Sequence, residues 1–207
     1  LEDLHRFKRD HRRMPALEQA QDIISDKMSH YFSDCEVCDE KVPDLTAAEN
    51  SSRELVGLYV RERLPGLEVR DVERKLATHL RGKIPFVGYV DLIEKSPMDT
   101  GPDDPFDVTA LDIRPTDGIR DIKVTGKTYP ASRVANGLQL TLYAQILGVE
   151  DVGYDLLVQK KKSEYVPQRA LRSPAEKEHA LDVVAGIASA ISQGVFPKTD
   201  PESWACN

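Results

Sequence analysis

The sequence predicts an α/β protein in which a mixed central β-sheet is flanked by helices. Short apolar runs at 86–93, 119–124 and 152–159 have the length and composition of buried strands. Amphipathic helical patterns stand before the first run, between the second and the third, and after the third. A chain of 207 residues is long enough for one domain with a hydrophobic core, and we expect roughly four strands in its sheet.

The composition is that of an ordinary soluble protein, with 40% hydrophobic and 30% charged residues. No apolar run approaches the roughly eighteen residues that span a bilayer, and the charged start is not a signal peptide. We therefore expect a cytoplasmic protein with no membrane partner. The net charge of −7 argues against a protein that coats duplex DNA, but a local basic groove or a bound metal ion is compatible with it.

The first 66 residues predict a helical addition to the sheet rather than a separate domain. Apolar residues recur at helical spacing within 1–32, and a capping box at 46–49 starts a further helix that ends at 65–66. The basic run at 5–13 has two interpretations, either a solvated helical face or a surface that contacts a phosphate backbone.

The predicted core spans 67–194 and begins with a strand hairpin. Its first strand is 67–80, and its second is the apolar run that carries Asp91. Aspartate is a poor strand residue, and burying its charge is costly unless it is paired or coordinates a metal. Asp91 is therefore the first candidate for a functional site.

The next strand carries Asp121 and Lys123, two residues apart. Period-2 alternation puts both side chains on one face of the strand and Ile122 on the other. If Asp91 and Asp121 converge on one point, their carboxylates would suit a hard divalent cation. A lysine beside them would orient or deprotonate a water molecule, or offset charge on a phosphate.

A helix follows, with apolar residues at every fourth position over 134–146 that should face the sheet. Gln139 and Tyr143 are also four residues apart and share a neighbouring stripe. The two side chains either form a hydrogen-bonded pair at the edge of the core or belong to the rim of a site.

The remaining segments are marked by turn and capping signals. The stretch 95–108 is rich in Pro, Gly and Asp and predicts a loop between the strands of the two aspartates. A capping box at 173–176 starts the last helix and Gly194 ends it, which leaves 195–207 as a C-terminal tail.

Taken together, these segments resemble the PD-(D/E)XK nuclease superfamily, in the RecB-like exonuclease branch found in phages and bacteria. The resemblance lies in three ordered segments, Gly88-Tyr-Val-Asp-Leu-Ile93, Asp121-Ile-Lys-Val124 and Gln139-Leu-Thr-Leu-Tyr-Ala144. It covers the chain from about 68 to 160. Val124 departs from the usual threonine, and the long interval between the two aspartates must hold an inserted loop.

The resemblance implies a restriction-endonuclease-like core and a Mg²⁺- or Mn²⁺-dependent deoxyribonuclease that acts as an exonuclease on single- or double-stranded DNA ends. The positions that match the family's metal-binding and catalytic groups are Asp91, Asp121, Ile122 through its carbonyl, Lys123, Gln139 and Tyr143. In such a site the lysine would orient the attacking water. The glutamine and the tyrosine would contact the substrate or the lysine.

Glu73 is a further candidate, because Val72 and Glu73 match a Val-Glu pair that family members carry ahead of the first aspartate. Its carboxylate would either line the site as a third acid or pair with a lysine of the sheet, such as Lys75 or Lys95. The sequence does not choose between the two.

Histidine and cysteine positions raise three further questions. Relatives carry a histidine in an early helix, four residues after a glycine and shortly before Leu-Glu; because Leu1-Glu2 opens this sequence, the matching histidine is expected upstream, and His5, which lacks the glycine, is the alternative. Cys35 and Cys38 have zinc-knuckle spacing but no second pair at a matching distance, so two reduced thiols is the simpler interpretation. Cys206 resembles the start of the cysteine cluster of iron–sulfur members, but the cluster is incomplete and we expect none in this chain.

A second function is compatible with the same fold, namely a catalytically weak or inactive module that binds nucleic acid or a replication or recombination partner. The acidic balance favours this module, whereas the ordered acids and lysine favour a nuclease. The resemblance also makes a homo-oligomer, or a single-strand-annealing or recombination protein as a partner, an expectation to test.

Overall fold

The computed structural model describes residues 1–11, 15–16, 18–20, 22–23, 26, 45–95 and 113–195. The loop expected at 95–108, apart from Lys95, lies outside the described residues, as do all three cysteines and the tail beyond 195. Within the described part of the chain, none of the helices combines the length and the apolar character needed to cross a membrane.

The described residues form helices on both faces of one sheet. In chain order the elements are α1 (Glu2–His11), α2 (Leu45–Glu62), a 3₁₀ turn (Leu64–Gly66), β1 (Val69–Leu80), β2 (Ile84–Lys95), β3 (Asp117–Thr125), α3 (Ala131–Ala135), α4 (Leu138–Leu147), β4 (Asp151–Val158), β5 (Glu164–Leu171) and α5 (Pro174–Ser192). The strands lie in the order β1-β2-β3-β4-β5. β3 and β4 are parallel, and the other neighbouring pairs are antiparallel. The prediction of an α/β fold with a mixed sheet is confirmed.

Among the described residues the sheet has five strands rather than about four. The strand that sequence reasoning missed is β5, at an edge of the sheet. Its polar residues alternate with partly buried ones, and Pro167 stands in its middle opposite Asp155. An edge strand tolerates a proline that a central strand would not, because one row of its backbone groups has no ladder partner.

The helix expected over 134–146 is divided into α3 and α4 at Asn136 and Gly137. A Cβ at Gly137 would lie 3.0 Å from the Arg133 carbonyl oxygen and 3.3 Å from the Tyr154 hydroxyl oxygen. The interruption therefore brings backbone close to β4, which an unbroken helix would not do. The capping box at Ser173 is present at the start of α5 as predicted.

Two hydrophobic clusters cover the two faces of the sheet. One lies beneath α3 and α4 and includes Val90, Ile119 and Tyr143. The other joins α1 and α2 to the opposite face and includes Tyr59 and Leu92. The N-terminal helices thus pack onto the sheet that carries the candidate residues.

A buried set of charged side chains lies between the N-terminal helices and the middle of the sheet. Arg120 of β3 donates to Glu94 of β2 at 2.6 Å and to both carboxylate oxygens of Asp151 of β4, at 3.0 and 2.6 Å. Arg63, which follows α2, donates to Glu94 and, at 3.0 Å, to Asp155 of β4. Because each buried charge has opposite partners, the set ties three strands together next to Asp121.

Candidate functional site

β2 and β3 separate at the position of Asp91. Their backbone ladder ends at the pair Leu92 and Arg120. One residue further along β2 and two residues further along β3, Oδ2 of Asp91 accepts a hydrogen bond of 2.8 Å from the backbone N–H of Ile122. A side-chain carboxylate therefore takes the place of a strand carbonyl and bridges the opening between the two strands.

The strands are irregular where their acids lie. Val90 packs in the cluster beneath α4 while Leu92, two residues later, packs in the cluster on the opposite face, so the alternation of β2 shifts at Asp91. On β1, Glu73 has a φ of 52°, a backbone conformation that residues other than glycine rarely adopt. Burial, and then the negative charge of Asp91, raise the pKa of Glu73, which puts the two carboxylates near each other.

Asp121 is nearly buried, at 4% exposure, and faces Lys123. Nζ of Lys123 lies 3.0 Å from Oδ1 and 2.8 Å from Oδ2 of Asp121, but among the described residues Oδ2 accepts no hydrogen bond of acceptable geometry. Burial raises the pKa of the Asp121 carboxyl and the charge of Asp91 adds to this, while Lys123 opposes it. The two aspartates that the sequence separates by thirty positions are therefore electrostatic neighbours.

Lys123 is held in its protonated form. Burial alone would lower its pKa, but the hydrogen bond to Asp121 and the charges of Asp121 and Asp91 raise the pKa above its ordinary value. The side chain is 39% exposed, so it reaches the surface beside the pair. Of the two roles that the sequence left open, this environment favours a fixed cation over a group that removes a proton from water.

The carbonyl of Ile122 points into the same opening. The N–H and C=O groups of one strand residue project to the same side, and the N–H of Ile122 is directed at Asp91. Thr125 lies an odd number of residues from Ile122, so its carbonyl points away from β2. This carbonyl accepts a 2.7 Å hydrogen bond from the N–H of Gln159, which follows β4. Oxygens of two kinds, the carboxylates of Asp91 and Asp121 and the carbonyl of Ile122, thus border one opening.

These oxygens fit a hard divalent cation. Carboxylate and carbonyl oxygens are the ligands that Mg²⁺ and Mn²⁺ take, and the unsatisfied Oδ2 of Asp121 is available for such a role. Within the described residues, no set of three or more His, Cys, Asp or Glu side chains is grouped closely enough to hold an ion. Among the described residues Glu73 therefore does not complete a three-carboxylate cluster with Asp91 and Asp121, and water and phosphate oxygens would have to fill the remaining positions.

Gln139 and Tyr143 form the hydrogen-bonded pair that their spacing predicts. Nε2 of Gln139 donates to the Tyr143 hydroxyl at 3.1 Å. The tyrosine is buried against Gly88 of β2, where a Cβ would lie 2.8 Å from its Cε1 atom. The pair thus lies over β2, three residues before Asp91, and its contact with a substrate stays a prediction.

No protein-family model matches the chain, and no curated protein sequence matches it significantly. A solved structure described as "Crystal structure of SSO0001" is similar over 87% of this chain and 89% of its own, with 12% identity and a TM-score of 0.37. A similarity of this size carries no argument about function. The candidate site therefore has to be judged on its own geometry.

His5 does not belong to the site. It is fully buried on α1, and its Nε2 lies 2.9 Å from the hydroxyl oxygen of Tyr59. Burial lowers its pKa to about 3, so the imidazole is neutral at physiological pH. The alternative in which His5 replaces the early histidine of relatives is not supported, because the side chain lies on the core-facing side of its helix.

Sequence reasoning missed three residues beside Asp121. Tyr154 of β4 lies directly opposite Asp121 in the parallel ladder. Its ring meets that of Tyr129 edge to face, with centroids 5.7 Å apart, and Cζ of Arg133 lies 3.9 Å from the Tyr129 centroid. The register of a parallel pair was the missing information, because it cannot be derived from the periodicity of either strand.

Proposed function

We propose that the chain is a divalent-metal-dependent DNA exonuclease of the PD-(D/E)XK type, with a restriction-endonuclease-like core. The observation that carries the proposal is the opening between β2 and β3, where Asp91, Asp121 and Lys123 meet. The sheet order supports it, since a meander of three strands followed by a helix and a parallel fourth strand brings the acids of β2 and β3 to one point.

Asp91, Asp121 and the carbonyl of Ile122 are the groups that would hold Mg²⁺ or Mn²⁺. The ion would lower the pKa of a bound water and stabilise negative charge on the phosphate oxygens. Lys123 stays protonated and paired with Asp121. Its exposed ammonium orients the attacking water or neutralises charge that develops on the scissile phosphate. Asp121 would serve the ion and the lysine together if the hydrogen bond from Lys123 stays on Oδ1 and the ion takes Oδ2, which lies 2.8 Å from Nζ and accepts no hydrogen bond among the described residues.

The choice of DNA ends as the substrate rests on the resemblance of the three ordered segments to RecB-like exonucleases. The geometry itself asks only for a phosphodiester that reaches the opening between the strands. Cleavage of single-stranded, double-stranded and circular DNA, each with one 5′ label, therefore belongs in the test.

The decisive variant is Lys123→Ala, assayed for cleavage of a labelled oligonucleotide in Mg²⁺ and in Mn²⁺. Removing one preorganised cation should lower turnover by on the order of a hundredfold or more. Metal affinity should stay the same or improve, because both carboxylates remain and a competing cation is gone. Lys123→Arg should not restore activity, since the planar guanidinium has a different shape from an ammonium.

The matched control is Lys83→Ala, which removes an exposed lysine from the turn between β1 and β2. It should cleave at the parental rate. Equal turnover in Lys123→Ala and the parent would refute the proposed mechanism. A parent protein that binds the oligonucleotide but never cuts it would favour the binding module instead.

A further inference from the structure

Arg133 is an exposed arginine whose guanidinium has a fixed position. Its Cζ atom lies 3.9 Å above the ring of Tyr129, which is within the range of a cation–π contact. Among the described residues, no carboxylate lies within ion-pair distance of this side chain. A guanidinium that stacks through its flat face leaves the N–H groups at its edge directed outward, where they can bond an anion.

Tyr129, whose ring lies beneath Arg133, is held by one contact to its ring and one to its backbone. The edge-to-face contact with Tyr154 fixes one side of the ring of Tyr129 at a centroid distance of 5.7 Å. The backbone carbonyl of Tyr129 accepts a 2.6 Å hydrogen bond from Nε2 of Gln168 on β5. The guanidinium of Arg133 thus packs on a tyrosine that is itself packed, which restricts its position.

This aromatic pair adjoins the acids of the candidate site. Tyr154 is the direct ladder partner of Asp121, and neighbouring strands lie about 4.8 Å apart. The charge of Arg133 opposes the increase that burial causes in the pKa of both Asp121 and Tyr154, which agrees with its proximity. A strand of nucleic acid whose scissile phosphate reaches the opening at Asp121 would pass beside Arg133.

We propose that Arg133, stacked on Tyr129, binds a backbone phosphate of the substrate next to the phosphodiester that is cleaved. The proposal rests on the proposed function for the position of that phosphodiester. A planar guanidinium bonds two oxygens of one phosphate at once, and pre-stacking reduces the side-chain freedom that is lost on binding. Lys123, which is paired with Asp121, is assigned to the phosphodiester that is cleaved, so the neighbouring phosphate requires a second cation.

The test measures binding of a fluorescein-labelled oligonucleotide by fluorescence anisotropy, without divalent ions, at several KCl concentrations. Arg133→Ala should weaken binding by about tenfold or more, as expected for loss of a charged hydrogen-bonded contact. The slope of log K against log salt should fall by about one unit, because one phosphate contact is lost. Arg133→Lys should keep the slope and recover only part of the affinity.

Lys83→Ala is again the matched control, because it also removes one exposed positive charge. The turn that holds it is about 25 Å from Asp91 along β2, given about 3.3 Å per strand residue. Binding by this variant should equal that of the parent. The melting temperature of Arg133→Ala should also equal that of the parent, since the side chain is exposed.

The outcomes separate the two proposals. Loss of affinity in Arg133→Ala together with no cleavage by the parent would support the phosphate contact and refute the nuclease. Cleavage by the parent, together with an unchanged KM and salt slope in Arg133→Ala, would support the nuclease and refute the phosphate contact. An equal loss in Lys83→Ala, or no binding by the parent at any salt concentration, would overturn the inference about Arg133.

Discussion

Asp121 lies in an environment whose effects on its charge oppose each other. Burial and the neighbouring carboxylate of Asp91 disfavour the ionised form, whereas the ammonium of Lys123 favours it, and the net effect raises the pKa. A carboxyl with a raised native pKa binds its proton more tightly in the folded than in the unfolded protein. The unfolding free energy therefore falls as the pH rises from the ordinary value of 3.8 through the native pKa.

We predict that Asp121→Asn removes this contribution to the pH dependence. The stability of the variant relative to the parent should increase as the pH rises from about 4 and level off above the native pKa, because only the parent pays the ionisation penalty. Urea unfolding at a series of pH values measures this difference. The control is Asp182→Asn, on the exposed face of α5, and parallel curves for Asp121→Asn and the parent would contradict the prediction.

Residue chemistry was the part of the site that could be anticipated from the sequence. Asp91, Asp121 and Lys123 were identifiable because charged residues in apolar strands require a partner. The buried ion pairs of Arg120 could not be anticipated in the same way. Its partners Glu94 and Asp151 lie 26 and 31 positions away, and no local pattern announces such a contact.

At the scale of elements, the contact between β2 and α4 depends on the absence of a side chain at Gly88. The ring of Tyr143 fills the space that a Cβ would occupy, with its Cε1 atom at 2.8 Å and its hydroxyl oxygen at 3.0 Å. The tyrosine also packs edge to face on Phe86, at a centroid distance of 6.2 Å. Glycine at this position sets how closely the helix approaches the strand.

Gly88→Ala should destabilise the protein by about 1–3 kcal/mol, the usual cost of overpacking a core. The same change made in a Tyr143→Leu background should cost less, because the smaller side chain vacates the contested space. Urea unfolding of the four proteins in this cycle gives the coupling energy. Additive effects of the two substitutions would show that the packing of Tyr143 does not depend on a glycine at position 88.

Elements with strong local signals were predictable within a few residues. β2, β3 and β4 follow apolar runs, and α5 follows a capping box. The features that were missed depend on tertiary context. β5 is a polar edge strand that contains a proline, and the predicted helix is divided at Gly137, where a Cβ would lie 3.3 Å from the Tyr154 hydroxyl oxygen. No helical periodicity encodes this contact.

At the scale of the whole molecule, the N-terminal helices and the sheet share buried charges. Arg63 shares Glu94 with Arg120 and Asp155 with Arg169, and these two carboxylates are 1% and 0% exposed. Removal of one partner from such a set leaves an uncompensated charge in the interior. Arg63 therefore joins the end of α2 to the sheet in which the candidate site lies.

A divalent ion that binds only the native protein should stabilise the whole fold. Mg²⁺ or Mn²⁺ should raise the melting temperature of the parent. At an ion concentration of a hundred times the Kd, the free energy of unfolding should increase by about 2.7 kcal/mol. Asp91→Asn should abolish the increase while reducing repulsion in the metal-free protein. Differential scanning fluorimetry measures both effects.

Glu178→Gln, which changes an exposed acid of α5, is the control and should respond to the ion as the parent does. An ion-dependent shift of equal size in Asp91→Asn and in the parent would exclude Asp91 as a ligand. Partial reduction of the shift would instead assign most of the binding to Asp121.

The hydrogen bond between Asp91 and the N–H of Ile122 has a geometric consequence. The side chain of Asp91 is a spacer, and its length sets how far β2 and β3 stand apart where their ladder ends. Glutamate would preserve the charge but add one methylene group to that spacer. The width of the opening would change with it, so a substitution that looks conservative by charge would still alter the distance across which the two acids cooperate.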